Sequence, residues 1–92
     1  MEEKFVRAWI SARNEALRLG VRLRPMPESE ALAQAHYCLQ NHRPSDGFAG
    51  LVMKGQWKLT LEALAIDKRF TALFTDDEVN TALQRLLDAE CF

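Results

Sequence analysis

Apolar residues recur every three or four positions along most of this chain, the spacing of helices with one covered face. Phe5, Trp9, Ala12, Ala16 and Leu19 fall on a single face of a helix predicted from about Glu2 to Leu19. Val6, Ile10 and Leu17 form a second seam beside it. The two seams together span about half the circumference, wider than the ~100° stripe of a simple surface helix. Such a helix needs cover on two sides, from its own domain or from a second copy. Glu2 and Glu3 suit its N-terminal dipole, Arg18 its C-terminal end, and Gly20 the left-handed position that ends a helix. Pro25 and Pro27 force Arg24 and Met26 toward extended geometry, so Val21 to Pro27 reads as a connector.

A second helix is predicted from about Glu28 to Asn41, with Leu32, Ala35, His36 and Leu39 inward and Pro44 as its stop. Ser45-Asp46 reads as the N-cap of a short third helix carrying Phe48, Leu51 and Val52 and closed by Gly55. Trp57 to Ile66 reads as a fourth helix, apolar nearly all round and therefore central. A central Trp57 predicts a cost of about 3–5 kcal/mol for Trp57→Ala. The last helix carries the clearest local signal. Thr75-Asp76-Asp77-Glu78 is a capping box, Phe74 and Val79 form a hydrophobic staple, and Val79, Ala82, Leu83, Leu86 and Leu87 continue the helical phase to about Glu90. No alternating β-branched run competes. The fold class is all-α, a compact bundle of four to five short helices. Residues 1–92 form a single helical domain, with the helix and connector of 1–24 packing on a helical core of 27–92.

Composition changes this picture little. A chain of 92 residues fits one domain, and 48% hydrophobic with 27% charged residues is ordinary globular usage. A net charge of −1 exerts no global pull toward nucleic acid or anionic lipid. The opening Met1-Glu2-Glu3-Lys4 lacks the basic n-region and long apolar h-region of a signal peptide, and no apolar run reaches the ~20 residues of a membrane span. Two cysteines, Cys38 and Cys91, make no disulfide framework. The expectation is a cytoplasmic protein with reduced thiols and no membrane partner.

Each candidate chemistry meets a missing element. Gly50 and Gly55 have phosphate-loop spacing, but Gln56 and Trp57 stand where Lys and Ser/Thr are needed. Tight turns and close helix contacts account for Gly47, Gly50 and Gly55. Gly47-Phe48-Ala49-Gly50 has the spacing of an RNA-clamping loop without its αβ context. His36, Cys38 and His42 cluster, but only Cys38 and His42 share a helical face; Cys91 would add a third ligand, and structural zinc takes four. His36 reads instead as a core-edge residue and His42 as a helix-end cation. No serine or cysteine has a nucleophile's setting. The sequence therefore predicts a non-enzymatic protein with no catalytic residue, metal or cofactor.

Leu59 to Ala65 resembles the first helix of a helix-turn-helix unit. The following turn, Asp67-Lys68-Arg69-Phe70, lacks glycine, however, and the next helix opens with three acids that would face phosphates. The only local basic patch is Arg18, Arg22 and Arg24. Arg13 lies by phase inside the apolar arc of helix one, either with its stem along that surface and its charge at the rim, or paired with an acid across an interface. The segment from Asp76 to Glu90, with five acids against Arg85, is a candidate source of that acid. The leading expectation is action through a protein partner or self-association as a homodimer, with Trp9, Arg13, Arg18, Arg22 and Arg24 as partner-binding candidates. The alternative is a regulator contacting nucleic acid through Arg18, Arg22 and Arg24, with Lys68 and Arg69. A third reading is a small-molecule pocket between helices three and four near Trp57, which lacks convergent polar groups.

Ser45-Asp46-Gly47-Phe48, Gly55-Gln56-Trp57, Leu61, Leu64-Ala65, Arg69-Phe70 and Leu73-Phe74-Thr75 together resemble the YoaC-like family of small bacterial helical proteins. The resemblance covers the C-terminal half. It implies a compact helical fold in a bacterial cytoplasm and carries over no catalytic residue, ligand or cofactor.

Overall fold

In the computed structural model of the chain, which describes residues 2–41 and 44–91, the apolar phase of the first segment becomes helix α1 (Glu2–Arg18). Its first seam is inward: Phe5, Trp9, Ala12 and Ala16 are buried, whereas Val6 and Ile10 are half-buried and Leu17 is exposed. At 1.5 Å per residue α1 is about 26 Å long. The whole body measures 30 × 28 × 22 Å, so this one helix nearly spans it. Gly20 closes α1 as predicted, with φ at 85°, Val21 N–H donating to the Ala16 carbonyl (3.0 Å) and Gly20 N–H to the Leu17 carbonyl (3.1 Å). This is a Schellman end, and it folds Val21 back onto Ala16 and Leu51 in a small second cluster.

The extended connector leads through a 3₁₀ turn at Glu28–Glu30 into α2 (Ala31–Gln40), so the second helix begins about three residues later than its sequence implies. α3 (Phe48–Met53) follows, then a 3₁₀ turn at Trp57–Leu59, α4 (Leu61–Ala65), a 3₁₀ turn at Thr71–Leu73 and α5 (Asp76–Asp88). No strand occurs among the described residues; the fold is an all-α small bundle. Among the described residues no helix is long and apolar enough to cross a membrane. The main core joins Phe5, Trp9 and Ala12 of α1 to Ala31, Ala35 and Leu39 of α2, Leu61, Leu64 and Ala65 of α4, Phe70, Phe74 and Ala82. Alanines from four helices let backbones approach, and aromatic rings fill the space between. Phe5 is the hub, with its ring centroid 5.5 Å from Phe70 and 5.3 Å from Phe74, both edge-on, and 5.9 Å from Trp9.

Three expectations need correction. Ser45-Asp46 does not cap α3. Gly47 occupies the N-cap with φ at 78°, and a Cβ there would sit 2.5 Å from Leu23 Cδ2 and 2.9 Å from Val21 Cγ1, so glycine serves both the conformation and the close approach. The fourth helix is not continuous from Trp57. Thr60 breaks it, donating its hydroxyl to the Trp57 carbonyl (2.6 Å) while accepting from Ala63 N–H (3.1 Å), and thereby caps a five-residue α4. Trp57 is consequently half-buried at the edge and outside the main core, and the cost proposed for a central tryptophan does not apply to it.

The centre that Trp57 was expected to fill holds an acid. Glu62, the one charged residue of α4, has no exposed surface. Its carboxylate accepts from Ser45 N–H (2.8 Å), the Ser45 hydroxyl and Arg85 Nη1 (3.1 Å). Arg85 Nη2 also donates to the carbonyls of Cys38 (2.9 Å) and Asn41 (2.6 Å) at the end of α2. A buried ion pair persists only when its remaining donors and acceptors are satisfied, and among the described residues no buried side-chain nitrogen or oxygen lacks a partner.

The capping box of α5 forms as predicted and acquires more partners. Thr75 Oγ1 accepts from Glu78 N–H (3.1 Å), and Glu78 Oε1 accepts from Thr75 N–H (2.8 Å). Glu78 Oε2 takes His36 Nδ1–H (2.6 Å) and Gln40 Nε2–H (3.1 Å) from α2. Nδ1 must be the donor, because an ionised carboxylate only accepts. Burial pushes the Glu78 pKa up, but the Thr75 amide bond, with the His36 and Gln40 bonds and the His36 charge, brings it below its ordinary value.

Two outcomes follow from these two carboxylates. Arg85→Met strands the Glu62 charge and should cost about 3–5 kcal/mol in urea unfolding, whereas Glu62→Leu combined with Arg85→Met should cost less than the sum of the single changes. Glu78, with its folded-state pKa depressed, contributes stability that is complete above the unfolded value of about 4.3 and lost as pH falls through the folded one. Glu78→Gln should therefore cost about 1–2 kcal/mol at neutral pH through the weakened cap. It should also flatten the acid limb of a stability–pH curve.

Candidate functional site

Both main-chain polar groups of one connector residue, Arg24, are bound by side chains. Arg13 of α1 donates from Nη2 to the Arg24 carbonyl, and the Asp46 carboxylate, from the loop before α3, accepts Arg24 N–H (2.6 Å). Pro25 already holds Arg24 extended, and neither Pro25 nor Pro27 has an N–H of its own to satisfy. The connector, without secondary structure from Val21 to Pro27, is therefore tied to α1 and to the loop before α3 by side chains. Beneath it lies a cleft of ≈ 320 Å³.

Four elements build this cleft. α1 supplies Trp9 and Arg13; the connector supplies Arg24, Pro25 and Met26; α2 supplies Gln34, Tyr37, Cys38 and, just beyond its end, Asn41; and the loop before α3 supplies Pro44 and Asp46. The Arg13 guanidinium lies 5.8 Å from the Trp9 ring centroid, a cation–π stack that holds its planar group over the indole. Within the chain Arg13 is half-buried, its charge lies over the Trp9 ring and is bonded to a main-chain carbonyl, and among the described residues it forms no ion pair with the segment from Asp76 to Glu90. Tyr37 is 62% exposed on the outer rim.

The five partner-binding candidates separate. Trp9, Arg13 and Arg24 converge on the cleft. Arg18 lies in a different depression with Arg7, Ile10 and Asn14, and its guanidinium meets Glu15 at 3.5 Å, both side chains well exposed. Arg22 is exposed and lines none of these walls. Arg69, a further cation of the nucleic-acid alternative, forms a two-toothed pair with Asp67 at 3.0 to 3.3 Å; these hydrogen bonds lower the Asp67 pKa and raise that of Arg69. It borders a third depression with Lys4, Arg7 and Phe70. Arg18, Arg24 and Arg69 therefore face three separate depressions.

Sequence reasoning missed Tyr37, Met26, Gln34 and Asp46. Tyr37 did leave a trace, since it falls outside the α2 phase of Leu32, Ala35 and Leu39 and is thus an aromatic residue on a polar face. Met26 and Asp46 left none, because their place depends on how the connector crosses α2. Candidate nucleophiles near the cleft have other occupations. Burial first, then the Glu62 charge, pushes the Cys38 thiol above its ordinary pKa despite Arg85, which keeps it protonated at neutral pH. The Ser45 hydroxyl is committed to Glu62. Of the His36, Cys38 and His42 constellation, His42 lies outside the described residues, and His36 is turned to Glu78. Among the described residues no group of three His, Cys, Asp or Glu side chains is arranged to hold a metal ion.

Arg13→Lys keeps the charge but loses the planar stack and the fork that reaches the Arg24 carbonyl. It should cost about 1–2 kcal/mol in urea unfolding. Amide hydrogen exchange in the connector, at Arg24 above all, should accelerate while exchange in α5 stays unchanged. No protein-family model matches the chain, nor does any curated protein or solved structure.

Proposed function

We propose that the chain is a non-enzymatic protein that acts by protein–protein interaction through the cleft between α1, the connector and α2. The supporting observation is the company of residues at that one place. Trp9, Arg13, Arg24, Tyr37 and Met26 come from three elements to the wall of one cleft. Tryptophan, tyrosine, arginine and methionine are the types enriched where proteins bind each other, and Trp, Tyr and Arg dominate the measured binding energies. Tyr37 is the outermost of them and makes little contribution to the core, so its exposed ring is explained better by a partner than by folding. The buried polar groups, by contrast, have structural partners: Ser45 and Arg85 serve Glu62, and His36 serves Glu78.

A photo-reactive phenylalanine analogue at position 37, in cells expressing the full chain, should give one discrete covalent adduct. The same group at position 53, where Met53 is 87% exposed, should give none. An adduct of twice the 10.5 kDa chain mass identifies a second copy as the partner, and any other mass a different protein. Tyr37→Ala should weaken the interaction by about tenfold or more, as hot-spot truncation does. Equal labelling at both positions, or none at either, would sink the proposal.

A further inference from the structure

The hydrogen-bonding groups of this cleft are unevenly matched. Trp9 is 5% exposed, and its indole N–H has no hydrogen-bond partner among the described residues. No buried side-chain nitrogen or oxygen of those residues goes unpartnered. The indole N–H therefore belongs to the small exposed part of Trp9, and Trp9 opens on the cleft. An N–H donor on a tryptophan more than nine-tenths buried is thus presented to whatever enters.

The cations point the same way. Arg13 spends one N–H on the Arg24 carbonyl and keeps the others, and neither Arg13 nor Arg24 forms an ion pair among the described residues. Arg24 uses its main chain for the fold, and its guanidinium forms no hydrogen bond or ion pair among the described residues. The one carboxylate on the wall, Asp46, already accepts Arg24 N–H. The Glu62–Arg85 pair behind Cys38 is internally neutral. The cleft therefore offers two unpaired cations and an indole donor against one occupied acid, over an apolar lining of Met26, Tyr37 and the two prolines. At ≈ 320 Å³ it is at the lower end of ligand-pocket size, suited to one or two side chains of a longer segment.

We propose that the cleft binds a short acidic segment of a partner protein, with a carboxylate between the Arg13 and Arg24 guanidiniums and a neighbouring apolar side chain against Met26 and Tyr37. This deepens the docking role proposed above and rests on it. The indole N–H of Trp9 donates to a carbonyl or carboxylate oxygen of the same segment. Guanidinium–carboxylate recognition supplies the specificity, and the apolar lining supplies the contact area.

The test uses the full chain carrying Trp57→Phe, which leaves Trp9 as the only tryptophan of the two. Its emission is followed while a capped pentapeptide alternating leucine with aspartate is added, and then the asparagine counterpart. The acidic peptide should perturb Trp9 emission and bind about tenfold or more tightly than the asparagine one, with affinity falling as salt is raised. Calorimetry on the unsubstituted chain should give the same order. Arg24→Gln, which leaves both main-chain bonds in place, should weaken the acidic peptide by about tenfold while the melting temperature holds. Equal affinity for the two peptides, or an Arg24→Gln chain that binds as well as the parent, overturns the acidic specificity and leaves the docking role standing if position 37 still cross-links. Silence from both peptides together with a discrete adduct at position 37 likewise overturns this proposal alone. Loss of the adduct removes the docking role itself.

Discussion

The bundle depends on one ion pair set into its interior. Glu62 and Arg85 meet at 3.1 Å with the Glu62 side chain wholly buried and the Arg85 side chain 10% exposed. Removing two such charges from water is costly, and their attraction alone does not repay it. Here the deficit is offset by four further hydrogen bonds, two from Ser45 to the carboxylate and two from Arg85 to the end of α2. Those last two have a second effect. The carbonyls of Cys38 and Asn41 belong to a helix end whose oxygens have no partner within the helix, and a cation there also suits the helix dipole. A single guanidinium thus fixes α5 against both α4 and α2, while its carboxylate partner fixes the entry to α3.

Such a clamp matters because the elements it joins are short. α4 has five residues and α3 six, far below the length at which a helix holds in water by itself. Their ends are therefore closed one by one. Gly55, at φ 72°, ends α3 with Gln56 N–H on the Leu51 carbonyl (2.8 Å), Thr60 opens α4, and the Thr75–Glu78 box opens α5. Burial provides most of the driving force, through Phe5 and the alanine-lined helix contacts. A core of small residues and rings would admit several arrangements of short helices, and the Glu62–Arg85 pair with its fixed donors admits one.

What could be read from the sequence divides along the same line. Features settled within a turn or two were legible: the first seam of α1, the Gly20 and Gly55 ends, and the capping box. Features settled by a distant partner were not. Ser45 and Asp46 have the chemistry of a helix cap, yet Glu62 seventeen residues later and Arg24 twenty-two residues earlier claim them. Periodicity placed the Trp57 segment at the centre because it counts apolar residues, and so it overlooked that the segment's only acid was the central residue. Thr60, a polar interruption in the same run, was the visible sign that the helix restarts there. At the cleft, Trp9, Arg13 and Arg24 stood out as a tryptophan on the inner seam, a charge inside an apolar arc and a member of the one local basic patch. Tyr37 and Asp46 become neighbours of these only through the tertiary fold.

Core and cleft are also not separate parts. Cys38 and Asn41 accept from Arg85 on one side and line the cleft on the other. Ser45, bound to Glu62, is adjacent in sequence to Asp46, which holds the connector across the opening. Two walls of the cleft are thus tied to the same buried ion pair, and a third, Trp9, to Phe5 at the hub of the core. The surface that most resembles a binding site is bonded directly to the core. Pre-arranged walls of this kind lower the ordering cost of binding, which is where a small cleft gains most, since it has little area from which to draw affinity.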